Sequence, residues 1–239
     1  MRLFFGIIKE KEVSDMFVMP YVLLIPYAVL LIIYLVFEQK RNFKVATGLK
    51  LCLSLFFTMT AWAAIASRGL KSGMEAAPVL ISIGLIFSIF GDYFLQYIKK
   101  DLTKYKRGIA AFAVSQAFYI AAAYVIFPGG FIRYIILVGL LILALALMRS
   151  QNWDTQSHFK HLGIYTVLLA LMCGSFIEVA INLPSLWILA AGGILFFVSD
   201  MILGIWNYHS GKMYQAHLNW ITYFTGQLFI AFGVWALLA

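Results

Sequence analysis

Residues 186–207 read LWILAAGGILFFVSDMILGIWN, and in that whole stretch the only ionisable side chain is Asp200. A run of about 20 mostly apolar residues, rising 1.5 Å each, is long enough to cross the hydrocarbon core of a bilayer as a helix. An aspartate inside such a run is costly to keep in lipid, which makes it a candidate for function. Earlier in the chain a related run ends the same way. Residues 84–92 read GLIFSIFGD and residues 192–200 read GGILFFVSD, so Asp92 stands where Asp200 stands. The helices predicted to follow also correspond, SQAFYIA at 115–121 and GQLFIA at 226–231. Each pair sets an Asp low on one helix and a Gln on the next, which points to two halves of four spans related by an axis along the membrane normal.

The rest of the chain extends this reading. Of 239 residues, 63% are hydrophobic and 12% charged, with a mean hydropathy of +0.91. Soluble domains carry about 25% charged residues, so lipid must face much of the surface. In lipid every backbone polar group needs an internal partner, and the long unbroken runs favour a helical bundle over the short alternating strands of a barrel. The expected fold is therefore an all-α polytopic bundle of eight transmembrane helices forming a single membrane domain. The spans fall at 16–37, 45–66, 77–98, 109–127, 131–148, 161–181, 186–207 and 218–238, after a short lead-in at 1–15 that does not read as a signal peptide. Cys52 and Cys173 both fall inside spans, which argues against a disulfide framework. The net charge of +8 belongs to basic loops that meet anionic headgroups, and nucleic acid is not an expected partner. Loops after odd-numbered spans carry eleven Lys and Arg against six on the other side. The bias places both termini on the non-cytoplasmic side of a bacterial cytoplasmic membrane or a eukaryotic endomembrane.

Within the spans ionisable groups are few: Lys50, Asp92, Glu178 and Asp200, with Arg133 at the start of the fifth span counted among the loop charges. Counting along each helix sets Lys50, Asp92 and Asp200 about 8–10 Å below one membrane face. Gln116, Tyr165, Tyr223 and Gln227 fall in or near the same layer. The i, i+4 stripes Lys50-Ser54-Thr58, Ser88-Asp92-Gln96 and Asn219-Tyr223-Gln227, with Asp200-Gly204-Asn207, should face the interior around a polar cavity. Ser54, Thr58, Ser88 and Thr222 read as ties between helices, and Glu178 as a structural carboxylate reaching water at the outer end of its span. Two carboxylates in one dry pocket suit general acid/base chemistry, because one can keep its proton while the other is ionised. Lys50 would hold one carboxylate ionised or bind a headgroup phosphate. The histidines at 158, 161, 209 and 217 lie in loops or at span ends, so no metal site is expected; no GxSxG, HExxH or P-loop motif occurs, and no cofactor is implied. The 17% aromatic content reads as interfacial belts and packing.

Lys50 in span two, GLIFSIFGDYFL from Gly84, GIAAFAVSQAFYIAAA from Gly108, GGILFFVSDMILGI from Gly192 and TYFTGQLFIA from Thr222 together resemble the YhhN-like family of membrane proteins, which includes the lysoplasmalogenases. The resemblance implies eight helices and hydrolysis of the vinyl ether bond of lysoplasmalogens to a fatty aldehyde and a glycerophospho-alcohol. It implies catalytic roles for Asp92 and Asp200 and a substrate-binding role for Lys50. Gln116, Tyr119, Tyr165, Tyr223 and Gln227 are the remaining candidates for binding the lysophospholipid. The chain departs from the family pattern in FAVSQAFY, where Gln116 replaces a usual histidine, and at Leu51, where a proline is common. A small transporter or lipid-binding protein using the same polar layer, or a catalytically lapsed relative, are the alternative readings.

Overall fold

The computed structural model describes residues 22–40, 42–70, 72–73, 75–96, 101–150 and 159–239. The lead-in at 1–15 and the first residues of the span expected at 16–37 lie outside them. The described residues form α1 (Leu24–Gln39), α2 (Phe43–Arg68), α3 (Ala76–Leu95), α4 (Leu102–Ile126), α5 (Ile132–Ser150), α6 (Phe159–Asn182), α7 (Trp187–Ile205) and α8 (Met213–Leu238). Seven of these, α2 to α8, are long and apolar enough to cross a membrane, and α1 is a shorter apolar helix of 16 residues. The chain is an all-helical integral membrane protein.

Local chemistry sets where the helices begin and end. At α2 the Asn42 side chain accepts from the Val45 amide at 3.4 Å, and Gly69, with φ of 72°, receives the chain as it leaves. Helix α4 starts seven residues ahead of the apolar run because Asp101 caps it, accepting from the amides of Thr103 and Lys104 at 2.9 and 3.1 Å. That first turn is too basic to register as a span by hydropathy. The seventh run resolves into a 3₁₀ turn at Pro184–Leu186, the helix α7, and a π-helical turn at Trp206–Ser210 that ends at left-handed Gly211. π turns fan successive side chains more widely than an α-helix does and often mark functional positions.

The helices pack α1 on α2, α2 on α3 and α3 on α4, and likewise α5 on α6, α6 on α7 and α7 on α8. Between these groups α2 lies against α8 and α4 against α6. Among lipid-facing helices there is little hydrophobic drive for association, so close packing of small residues matters most. At the α7–α8 crossing a Cβ on Gly192 would come within 2.8 Å of the Gly226 carbonyl oxygen; at the α3–α4 crossing one on Gly91 would meet the Phe112 ring at 2.5 Å. Helix α8 is the hub, with 72% of its most apolar window buried, whereas α5 has 11% and packs chiefly on α6.

One sequence expectation is corrected here. The Glu178 carboxylate does not reach water. It is fully buried and ion-paired with the equally buried Arg133, and it also accepts from the Ile132 amide at 2.9 Å. Arg133 donates on to the carbonyls of Phe127 and Gly129 at 2.7 and 2.8 Å and stacks over the Tyr124 ring at 4.2 Å. This cluster pins the α4–α5 loop to the end of α6. Gly130 is needed in that loop, since its φ is 110° and a side chain there would run into the Glu178 carboxylate.

Candidate active site

Asp92 lies three residues before the end of α3 and is 1% exposed. Lys50 and Ser54, one helical turn apart on α2, both face it. The Lys50 ammonium stands 3.3 Å from Oδ1, and Ser54 Oγ donates to Oδ2 at 2.6 Å. From α8 the Tyr223 hydroxyl donates to the same Oδ2 at 2.7 Å. Three donors, one of them the countercharge, thus converge on this carboxylate from two helices distant in sequence. Ser54 was read from sequence as a tie between helices; the structure puts it in direct contact with Asp92.

A second layer stands behind. Tyr119 OH donates to Gln227 Oε1 at 2.9 Å, and Gln227 Nε2 donates to Ser88 Oγ at 3.0 Å and reaches Tyr223 OH at 3.5 Å. Ser88 Oγ is also 2.9 Å from Ser115 Oγ. These residues line neither cavity described below, so Tyr119 and Gln227 orient Tyr223 and do not themselves face open space. Gln116 is also fully buried and lines neither cavity. It sits beside Tyr165 with neither amide atom in hydrogen-bond geometry.

Asp200 projects from α7. Its carboxyl takes a hydrogen bond from the Tyr165 hydroxyl of α6. Ser199 Oγ is 3.3 Å from Oδ1 and donates to the Phe196 carbonyl at 2.7 Å, while Asn219 of α8 holds the Ser199 carbonyl at 2.7 Å. Among the described residues no cation pairs with Asp200. The two aspartates therefore sit in different electrostatic settings.

Two cavities meet here. The first is polar and is bounded by Lys50, Asp92, Asp200, Asn219 and Tyr223, with Glu38, Gln96, Trp206 and Trp220 completing its wall. The second is almost wholly apolar, lies among α4, α5, α6 and α7, and has Tyr165 and Asp200 on its wall. Leu95, Phe112, Asp200 and Leu203 belong to both. Of the candidate site residues, Lys50, Asp92, Asp200, Tyr165 and Tyr223 thus line the two cavities, and Gln116, Tyr119 and Gln227 do not. Glu38, Trp206 and Trp220 were not singled out for the cavity from sequence, whereas Asn219 was expected there from its stripe with Tyr223. Glu38 sits among loop charges, and tryptophans near a span end look like an interfacial belt. The i, i+4 spacing of Asn219 and Tyr223 was the one usable signal.

No three His, Cys, Asp or Glu side chains among the described residues lie close enough together to hold a metal ion. What the arrangement offers is proton exchange: two carboxyls on one wet cavity, one beside an ammonium and one at the edge of an oily space. Comparison with known proteins adds the family. A model of the YhhN family matches residues 45–234, which is 190 of the 239 residues and includes Lys50, Asp92 and Asp200. No curated protein and no solved structure matches the chain. With four-fifths of its length covered, the chain belongs to the YhhN family.

Proposed function

We propose that this protein is an intramembrane ether hydrolase that cleaves the vinyl ether bond of lysoplasmalogens, releasing a fatty aldehyde and a glycerophospho-alcohol. The observation that carries this reading is that Asp92 and Asp200 line one buried polar cavity with unequal partners. Asp92 receives donors only, from Lys50, Ser54 and Tyr223, which suits an ionised carboxylate. Among the described residues Asp200 has no ammonium beside it and meets only the hydroxyls of Tyr165 and Ser199, a setting that suits a carboxyl keeping its proton. Asp200 is then the acid and Asp92 the base, the division of labour found in glycosidases.

The steps follow from the substrate's own chemistry. Asp200 gives its proton to the β-carbon of the vinyl ether, whose π electrons form the new C–H bond and leave an oxocarbenium ion. Water adds to the positive carbon and loses a proton to Asp92. The resulting hemiacetal collapses: its hydroxyl proton passes to the now ionised Asp200, the C–O bond to the glyceryl oxygen breaks as the C=O bond forms, and that oxygen takes the proton held by Asp92, so the aldehyde and the glycerophospho-alcohol leave and both carboxyls are restored. Lys50 and Tyr223 position Asp92, and Lys50 has further N–H donors for the headgroup.

The wider frame of this reading has eight spans, with α1 as the first. It has a 4+4 repeat, supported by the matching packing of α1–α4 and α5–α8. It also places both termini on the non-cytoplasmic side, so that the polar cavity opens toward the basic loops. The test is purified protein mixed with a lysoplasmenyl lipid, with aldehyde followed over time. Asp92→Asn and Asp200→Asn should each remove aldehyde release while the protein still folds. Full activity in either variant rejects the assignment.

A further inference from the structure

The two cavities occupy corresponding places in the two halves of the bundle. Asp92 is to Asp200 as the matching runs 84–92 and 192–200 require. The flanking helices keep the same relation. Gly48-Leu49-Lys50 on α2 corresponds to Gly163-Ile164-Tyr165 on α6, and each third residue bonds the aspartate of its own half. Gln227 on α8 matches Gln116 on α4, which sets Tyr223 against Phe112 and Trp220 against Ile109. The close helix crossings agree. Gly84 faces the Ser115 carbonyl and Tyr119, and Gly192 faces the Gly226 carbonyl and Ile230.

Placed side by side, the walls are the same positions with opposite chemistry. Lys50, Gln96, Trp220 and Tyr223 line the polar cavity; their counterparts Tyr165, Gly204, Ile109 and Phe112 line the apolar one. Leu95 and Leu203, themselves counterparts, stand on the boundary with Asp200. A further difference explains why the second space is open to a chain. In the first half Tyr34 of α1 is fully buried and packs edge-on against Trp220 and Phe224, with ring centroids 5.4 and 5.6 Å away. From α5 a buried residue on the apolar cavity is Ala144, whose methyl group leaves the space beside it unfilled.

We infer that the two cavities form one head-and-tail site for a single-chain amphiphile: the polar head sits with Lys50 and Glu38, and the hydrocarbon chain lies in the apolar cavity against Ala144. The inference rests on the functional reading above for the identity of the lipid, but the chain site itself needs only an amphiphile. Continuity supports it. A polar cavity and an apolar one share wall residues, and the one carboxyl common to both, Asp200, stands where head and chain would join. A phosphate-bearing head also matches the ammonium of Lys50, and a cationic head group would meet the Glu38 carboxylate and the Trp220 ring.

The test is binding of hexadecylphosphocholine, which has a head and a chain but no vinyl ether, to the full-length protein in lipid nanodiscs. Ala144→Tyr puts an aromatic ring into the apolar cavity and fills the chain space. It should weaken binding of hexadecylphosphocholine at least tenfold and leave binding of glycerophosphocholine, the head alone, unchanged. Leu145→Tyr, one position along on the exposed face of α5, should change neither. If Ala144→Tyr does not fold, Ala144→Leu takes its place, with a smaller loss expected. Wild-type affinity in the folded variant, or equal loss for both ligands, overturns the chain site. The two readings fail separately. A wild-type protein that binds the amphiphile through Ala144 but releases no aldehyde from lysoplasmenyl lipid keeps the site and loses the hydrolase; one that releases aldehyde at the same rate with Ala144→Tyr keeps the hydrolase and loses the site.

Discussion

Replacing Lys50 by Met and Asp92 by Asn, singly and together, separates the ion pair from everything else at the site. The ammonium and the carboxylate are 3.3 Å apart and almost completely buried. At that spacing and an effective dielectric constant of about 20, their attraction is about 5 kcal/mol, much of it offset by the cost of desolvating both charges. Removing one member of such a pair strands the other, which typically costs about 3–5 kcal/mol. Asp92→Asn strands the ammonium and also turns an amide NH₂ toward donors that previously met oxygen. Lys50→Met strands the carboxylate, though Ser54 and Tyr223 still donate to it. Each single variant should lose about 3 kcal/mol of stability, and the double variant should lose about the same, not twice as much. The coupling is then about 3 kcal/mol, far above the roughly 0.5 kcal/mol within which independent sites add. Asp200→Asn, which breaks no ion pair, should lose only about 1 kcal/mol. Unfolding by rising SDS fraction in mixed micelles, followed by the fluorescence of the six tryptophans, measures all four. Additive losses at Lys50 and Asp92, or an Asp200→Asn variant as unstable as Asp92→Asn, would refute the unequal settings from which the acid and base were assigned.

Other substitutions test the frame around the site. Glu178→Gln leaves the Arg133 guanidinium buried without its countercharge and should destabilise by about 3–5 kcal/mol, while the aldehyde release rate per folded molecule stays at wild type. Gly192→Ala puts a methyl 2.8 Å from the Gly226 carbonyl oxygen and should lower the thermal midpoint. Gly139→Ala, with open space around it, should raise stability by up to about 1 kcal/mol through helix propensity alone. Gln116→Met removes two buried amide atoms that have no partner and should be neutral or stabilising by about 1 kcal/mol; a loss above that, read in the same SDS titration, would mean that the amide is bonded.

The polar layer was legible in the sequence because ionisable and amide side chains stand out against apolar runs, and helical rise converts their positions into depth. Depth alone brought Lys50, Asp92, Asp200, Tyr165 and Tyr223 to one level. It said nothing about how each helix is turned toward its neighbours, so Gln116, Tyr119 and Gln227, at a similar level, were grouped with them although they point into packed interior. Ser54 was under-read for a related reason: a serine one turn from a lysine looks like any small polar residue until the aspartate of another helix is seen opposite. Burial of Glu178 was missed because its partner Arg133 belongs to a different helix and, counted in sequence, sits among loop charges. The correspondence of Lys50 with Tyr165 was hidden by their different chemistry, and it took the packing of α2 and α6 against their own aspartate helices to reveal it.

Helix α5 has one further consequence. Near its first residues it is anchored by the Arg133–Glu178 cluster and by the Tyr124–Tyr134 hydroxyl contact at 2.7 Å. Toward its other end its contribution to the apolar cavity is Ala144 and Met148, and most of its surface faces outward. A single thin partition, tethered firmly at one end, is therefore all that separates that cavity from the surrounding leaflet. A lipid tail crossing it would travel sideways in the plane of the bilayer without ever meeting water, and its rate of arrival would follow two-dimensional diffusion and surface density instead of solubility.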